Sequence, residues 1–65
     1  MEKKSLEEAK HIAQKVSREY PEMVIIVMDK KGQKATYTAS EWIYRERILD
    51  GWHVVTKYKN GKIVA

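Results

Sequence analysis

Residues 23–28 read Met-Val-Ile-Ile-Val-Met, an apolar run that limits how this chain can fold more than any other feature does. Four of the six residues are β-branched, and the run lies between Pro21 and Gly32, which favours a short strand over a helix. Side chains of a strand point alternately to its two faces, so a strand that is apolar throughout is typical of the interior of a sheet. The run therefore predicts a central strand.

A helix is predicted before this strand, over residues 5–19. Ser5 and Glu8 have the spacing of a capping box, in which each side chain binds the backbone amide of the other residue. Pro21 ends the helix, because the residue before a proline disfavours the α conformation. Apolar residues recur at helical spacing and form one stripe: Leu6, Ala9, Ile12, Ala13, Val16 and Tyr20.

A hairpin and a second helix are predicted after the central strand. Gly32 suits the left-handed position of a short loop that pairs Asp29 with Gln33, and residues 34–39 alternate as a returning strand. Thr38 or Ser40 caps a helix that runs to residue 50, and Gly51 provides its left-handed end. The apolar residues of this helix are spread around it and form no single stripe: Trp42, Ile43, Tyr44, Ile48 and Leu49.

The chain ends in a second predicted hairpin. Residues 52–59 form a strand, Asn60-Gly61 is a strong signal for a two-residue turn, and residues 62–65 pair back. We expect Trp52, Val54, Thr56 and Tyr58 to share one face. The order is α-β-β-α-β-β, which predicts one α+β domain over residues 1–65, built from two tandem αββ units. We expect a four-stranded, largely antiparallel sheet with both helices packed on one face.

Length and composition limit how such a domain is stabilised. A chain of 65 residues has room for one core and buries only about 60% of its unfolded surface. It contains no cysteine, which excludes disulfides and thiolate zinc sites, and His11 and His53 stand far apart. We therefore expect no metal or cofactor, which leaves a partner subunit, or a well-packed core that suffices alone, to stabilise the domain. The absence of cysteine favours a reducing compartment, the cytoplasm, and no apolar run has the length of a membrane span.

Nothing in the sequence indicates catalysis. Ser5 and Ser40 have the positions of helix caps, and no serine lies in a nucleophile motif. The glycines are isolated at turns and a helix end, so there is no phosphate-binding loop. A chain this short also has little room for a deep pocket. We expect a binding module and not an enzyme.

The central strand suggests where a partner binds. If both helices cover one face of the sheet, apolar side chains on the other face are exposed, and contiguous apolar patches usually mark an interface. The alternative is that a terminus or a displaced second helix covers this face. The candidate interface, for another protein or for a homodimer, comprises Val24, Ile26, Met28, Val55 and Val64.

The lysines suggest a second function. The net charge of +4 comes from two segments without acidic residues, 30–40 and 53–65. They carry Lys30, Lys31, Lys34, Lys57, Lys59 and Lys62. These side chains are candidates for non-specific contacts with nucleic-acid phosphates, although lysines also protect sheet edges from aggregation. The regular capping and turn chemistry also fits a designed sequence without a function.

Overall fold

The computed structural model describes residues 6–64, and its elements follow the predicted order. Helix α1 spans Leu6–Glu19 and helix α2 spans Glu41–Leu49. The strands are β1 (Ile25–Asp29), β2 (Thr36–Thr38), β3 (His53–Lys59) and β4 (Lys62–Val64). The predicted Ser5 cap lies outside the described residues.

The four strands form one sheet in the order β2-β1-β3-β4, and every neighbouring pair is antiparallel. The predicted α+β class and element order are confirmed. The apolar run contributes β1, which lies between β2 and β3, so its interior position is also confirmed. From Ile25 to Met28 every residue of β1 is buried.

Helix α1 packs against one face of this sheet through small side chains. Ala9, Ala13 and Ser17 are completely buried and follow one another at intervals of four residues. Their small size lets the helix backbone approach the sheet closely, over Ile25 and Val27. The sequence stripe included most of this face but missed Ser17, and Tyr20 lies beyond the helix end and is exposed.

The sequence led us to expect α1 and α2 on the same face of the sheet, and the structure differs. Tyr44 of α2 lies over Lys57 and borders a hollow with Ile26. Lys57 pairs with Ile26, and their side chains project from the face opposite to Ile25 and Val27. The helices therefore cover opposite faces of the sheet, because β1 is apolar on both faces and each face needs cover.

One predicted register and one predicted strand face differ from the structure. In the first hairpin Val27 pairs with Tyr37, a shift of two residues from the prediction, which leaves the grouping of residues on each face unchanged. In β3 a bulge opposite Val27 and Met28 places Val54 on the α2 face and Thr56 on the α1 face. The prediction that β3 presents one continuous face from Trp52 to Tyr58 is wrong for this reason.

Helix α1 also holds the second hairpin in place. Asn60 and Gly61 have φ angles of 53° and 80°, as the predicted Asn-Gly turn requires. The amide of Gly61 donates to Ser17 Oγ at 2.8 Å, and Gln14 Nε2 donates to the carbonyl of Gly61 at 2.8 Å. These two bonds join residues 44 and 47 positions apart in the chain, and no sequence motif predicts them.

Candidate interaction surface

The predicted sheet patch is not an exposed surface in the single chain. Met28 is 0% exposed and Ile26 is 8% exposed. Val55, at the bulge, packs against the core on the α1 side of the sheet. Val24 is 37% exposed, and Val64 is half-buried opposite Lys57. The structure therefore supports the alternative in which a displaced second helix covers this face.

Helix α2 is held against the sheet by its two half-buried residues, Tyr44 and Arg47. The Nζ atom of Lys57 lies 5.7 Å from the centre of the Tyr44 ring. The guanidinium of Arg47 lies 5.5 Å from the centre of the Trp52 ring, and its buried Nη1 has no hydrogen-bond partner. Both contacts have the geometry of a cation against an aromatic face.

The ends of α2 are fixed by capping contacts. Ser40 Oγ accepts a hydrogen bond from the amide of Ile43 at 3.2 Å, so Ser40 is the N-cap, one of the two predicted candidates. Gly51 has a φ angle of 94°, which confirms it as the left-handed end of this helix. An ion pair of 3.2 Å between Lys30 and Asp50 joins the end of the helix to the first hairpin.

The opposite side of α2 is an exposed apolar surface. Trp42 is 73% exposed and Leu49 is 89% exposed. They are seven residues apart, which is two helical turns, and they border a shallow hollow of about 280 Å³ with Arg45 and Glu46. We call Trp42, Arg45, Glu46 and Leu49 the outer face of α2.

Trp42 and Leu49 belong to the apolar residues that the sequence spreads around α2, and they were not predicted as a site. The apolar residues of α2 surround the helix because two of its sides are apolar for different reasons. Tyr44 faces the sheet, whereas Trp42 and Leu49 face away from it. The interval of seven residues between Trp42 and Leu49 was the available signal.

The lysines lie in two separate groups. Asp29 pairs with His53 at one end of the β1–β3 ladder, and Ile25 pairs with Tyr58 at the other. The group next to Asp29 comprises Lys30, Lys31 and Lys34, and the group toward the second turn comprises Lys57, Lys59 and Lys62. Four residues of strand, about 13 Å, separate the ends of this ladder, so the groups do not form one patch. Lys59 and Lys62 are exposed and face each other across the two-residue Asn60-Gly61 turn.

Neither histidine of residues 6–64 belongs to a cluster of metal-binding side chains. His53 is exposed and pairs with Asp29 in the ladder, and His11 is exposed on α1. No group of three or more histidine, cysteine, aspartate or glutamate residues in this range could hold a metal ion. Neither helix of the described chain is long and apolar enough to span a bilayer.

Comparison with protein-family models, with curated proteins and with solved structures finds no match for this chain.

Proposed function

We propose that this chain is a small non-catalytic protein-interaction domain that binds its partner through the outer face of α2. The observation that carries the proposal is the exposure of Trp42 and Leu49 on one side of a nine-residue helix. Large aromatic side chains are the residue type most often found at the energetic centre of protein interfaces. A cytoplasmic location is part of the same proposal.

The surroundings of these two residues support binding to a protein. Arg45 and Glu46 give the apolar centre a charged border, which is the usual arrangement of a protein interface. Tyr44 and Arg47 contact the sheet side and Ser40 caps the first turn, so the outer face is presented by a helix that is already formed. A fixed helix loses little conformational entropy when it binds.

The test places a photoreactive benzoylphenylalanine at position 49 and, as the control, at Lys31, which is exposed in the first hairpin. Each protein is irradiated alone and in extract of the cells that express it. We expect covalent adducts from position 49. They should disappear when the same chain also carries the substitution Trp42→Ser, because both residues belong to one surface. Adducts that form equally from position 31, or that persist without Trp42, would contradict the proposal.

A second candidate function is non-specific binding to nucleic acid. The observation that favours it is the exposed pair Lys59 and Lys62, which stand opposite each other on neighbouring strands near Lys57. Like charges in this position are unfavourable without a counter-ion, and a phosphate backbone would supply one. The separation of the two lysine groups makes this candidate weaker than the first.

A further inference from the structure

The outer face of α2 has a charge pattern that is complementary to itself. At 100° per residue, Trp42 and Leu49 lie within about 20° of each other and form the centre line of the face. Arg45 lies on one side of this line and Glu46 on the other, each at about 50° from it. The four exposed side chains thus form an apolar line with a cation on one border and an anion on the other.

We infer that the partner bound by this face is a second copy of the chain, with the two α2 helices side by side and parallel about a two-fold axis; this inference rests on the proposed function. In a parallel pair, Trp42 meets Trp42 and Leu49 meets Leu49 of the other copy. The two-fold axis brings Arg45 of each copy beside Glu46 of the other, so two ion pairs flank the apolar centre.

The same charges disfavour the antiparallel pair. In an antiparallel pair the two-fold axis is perpendicular to the helices, so each charged border meets the same border of the other copy. Arg45 then faces Arg45 and Glu46 faces Glu46, and both borders are repulsive. The apolar line alone does not select an orientation, whereas the charges at positions 45 and 46 select the parallel one.

Both charged residues are available for this contact. Arg45 Nη2 lies 2.9 Å from Glu41 Oε2, but both side chains are more than 70% exposed, and such a pair contributes little and exchanges readily. Among the described residues Glu46 has no ion-pair partner within its own chain. Pairing across the dimer would give Glu46 a partner.

The contact is small, which sets the expected strength of the dimer. A helix of nine residues is about 13 Å long and offers less than the roughly 1,200 Å² buried in a stable interface. We therefore expect a weak dimer, populated at about 0.1 mM and above. Sedimentation equilibrium of the purified chain between about 10 μM and about 1 mM measures this directly.

Disulfide trapping tests the orientation, because the chain has no cysteine of its own. We expect Leu49→Cys to form a symmetric disulfide dimer in a glutathione buffer at least about tenfold faster than the exposed control Lys31→Cys, because only position 49 is held next to its copy. In an antiparallel pair the two copies of residue 49 lie about 10 Å apart along the axis. A mixture of Trp42→Cys and Leu49→Cys would then form mainly the mixed disulfide, which would contradict the parallel arrangement.

Charge reversal tests the ion pairs. Arg45→Glu and Glu46→Arg each make both borders repulsive, so we expect neither variant to dimerise alone. In a mixture of the two, one copy has acidic side chains on both borders and the other has basic side chains on both. Each border of the mixed dimer then joins an acid to a base, and dimerisation should return.

Two control variants reproduce the change in net charge at exposed sites away from α2. Lys31→Glu and Glu7→Arg shift the net charge of +4 to +2 and +6, as Arg45→Glu and Glu46→Arg do. Each control should dimerise like the wild type. Controls that also lose the dimer would show that total charge, and not pairing across the borders, governs association, and this would contradict the proposed ion pairs.

The results separate the two proposals. A wild type that remains monomeric at about 1 mM, with Leu49→Cys no faster than Lys31→Cys, overturns the parallel dimer. Trp42-dependent adducts between position 49 and a different protein would in that case leave the proposed function standing. Absence of both self-association and Trp42-dependent adducts would overturn the two together.

Discussion

Replacing Ser17 with alanine is expected to destabilise the domain, because the amide of Gly61 would lose its hydrogen-bond partner at a buried position. Ser17 is 0% exposed, and its Oγ accepts from Gly61 N at 2.8 Å while donating to the carbonyl of Gln14 at 2.7 Å. Gly61 is itself buried, so water does not replace the lost acceptor. An unsatisfied buried donor costs about 1–3 kcal/mol.

The net effect is somewhat smaller than this cost. Alanine is the better helix former, which returns up to about 0.5 kcal/mol to α1. We therefore expect a net loss of about 0.5–2.5 kcal/mol in the free energy of unfolding. A domain of 65 residues has about 3–10 kcal/mol in total, so the loss is a large fraction of its stability.

Urea denaturation followed by far-ultraviolet circular dichroism measures the change. With a slope of about 1 kcal/mol per molar urea, the midpoint should fall by about 0.5–2.5 M. Gln14→Ala is the comparison, because it removes the bond to the carbonyl of Gly61 at a partly buried position, where water can replace the side chain. We expect it to cost less than Ser17→Ala.

Amide hydrogen exchange distinguishes this cause from a general loss of packing. The Gly61 amide should exchange faster in Ser17→Ala than in Gln14→Ala at matched stability, because only the first change removes its acceptor. A urea midpoint that is unchanged or raised in Ser17→Ala would refute the reasoning, as would an equally protected Gly61 amide.

Three further changes have expected outcomes. Gly51→Ala should lower the free energy of unfolding by on the order of 1 kcal/mol, because residue 51 has a φ of 94°. The new Cβ would lie 3.7 Å from Lys30 Cε, an ordinary contact, so no steric clash adds to this cost. An unchanged urea midpoint would contradict the prediction. Ile26→Lys should unfold the domain, because it buries an unpaired charge. The control Leu49→Lys, at an 89% exposed position, should leave the circular dichroism spectrum unchanged. A folded Ile26→Lys would show that α2 does not cover this face of the sheet. If the chain binds duplex DNA through the second hairpin, log affinity should fall with log salt with a slope of roughly −3, at about −0.9 per neutralised phosphate, and glutamine at all three lysines should remove nearly all of this salt dependence. Those lysines are Lys57, Lys59 and Lys62, and absence of binding at low salt would assign them to edge protection.

The candidate surface illustrates how far local patterns reach. The sequence led us to expect an exposed apolar surface, because two helices packed on one face of the sheet would leave the apolar side chains of its other face uncovered. It placed that surface on the sheet, around Ile26 and Met28, whereas the two most exposed large apolar side chains of the described residues are Trp42 and Leu49. The error follows from the side of the sheet assigned to α2. Periodicity tells which residues of a helix share a face, but not which face meets the core when both are partly apolar.

The local chemistry of the sequence was sufficient for the elements themselves. The left-handed glycines and the Asn60-Gly61 turn act through groups a few residues away, so their positions follow from short-range hydrogen bonds and backbone sterics. The same chemistry limited the cap of α2 to Thr38 or Ser40, and the structure shows Ser40. The interior position of β1 also followed from composition, since a strand apolar on both faces must be covered on both.

Only the tertiary structure decided the long-range relations. The bulge in β3, the side of the sheet on which α2 lies and the bonds from Ser17 and Gln14 to Gly61 join segments that are distant in the chain. Each depends on how several elements pack at once, with buried donors satisfied and volumes filled, and no local pattern encodes that balance. The outer face of α2 became a surface for the same reason, because Tyr44 and Arg47 took the side that faces the sheet and left Trp42 and Leu49 on the other.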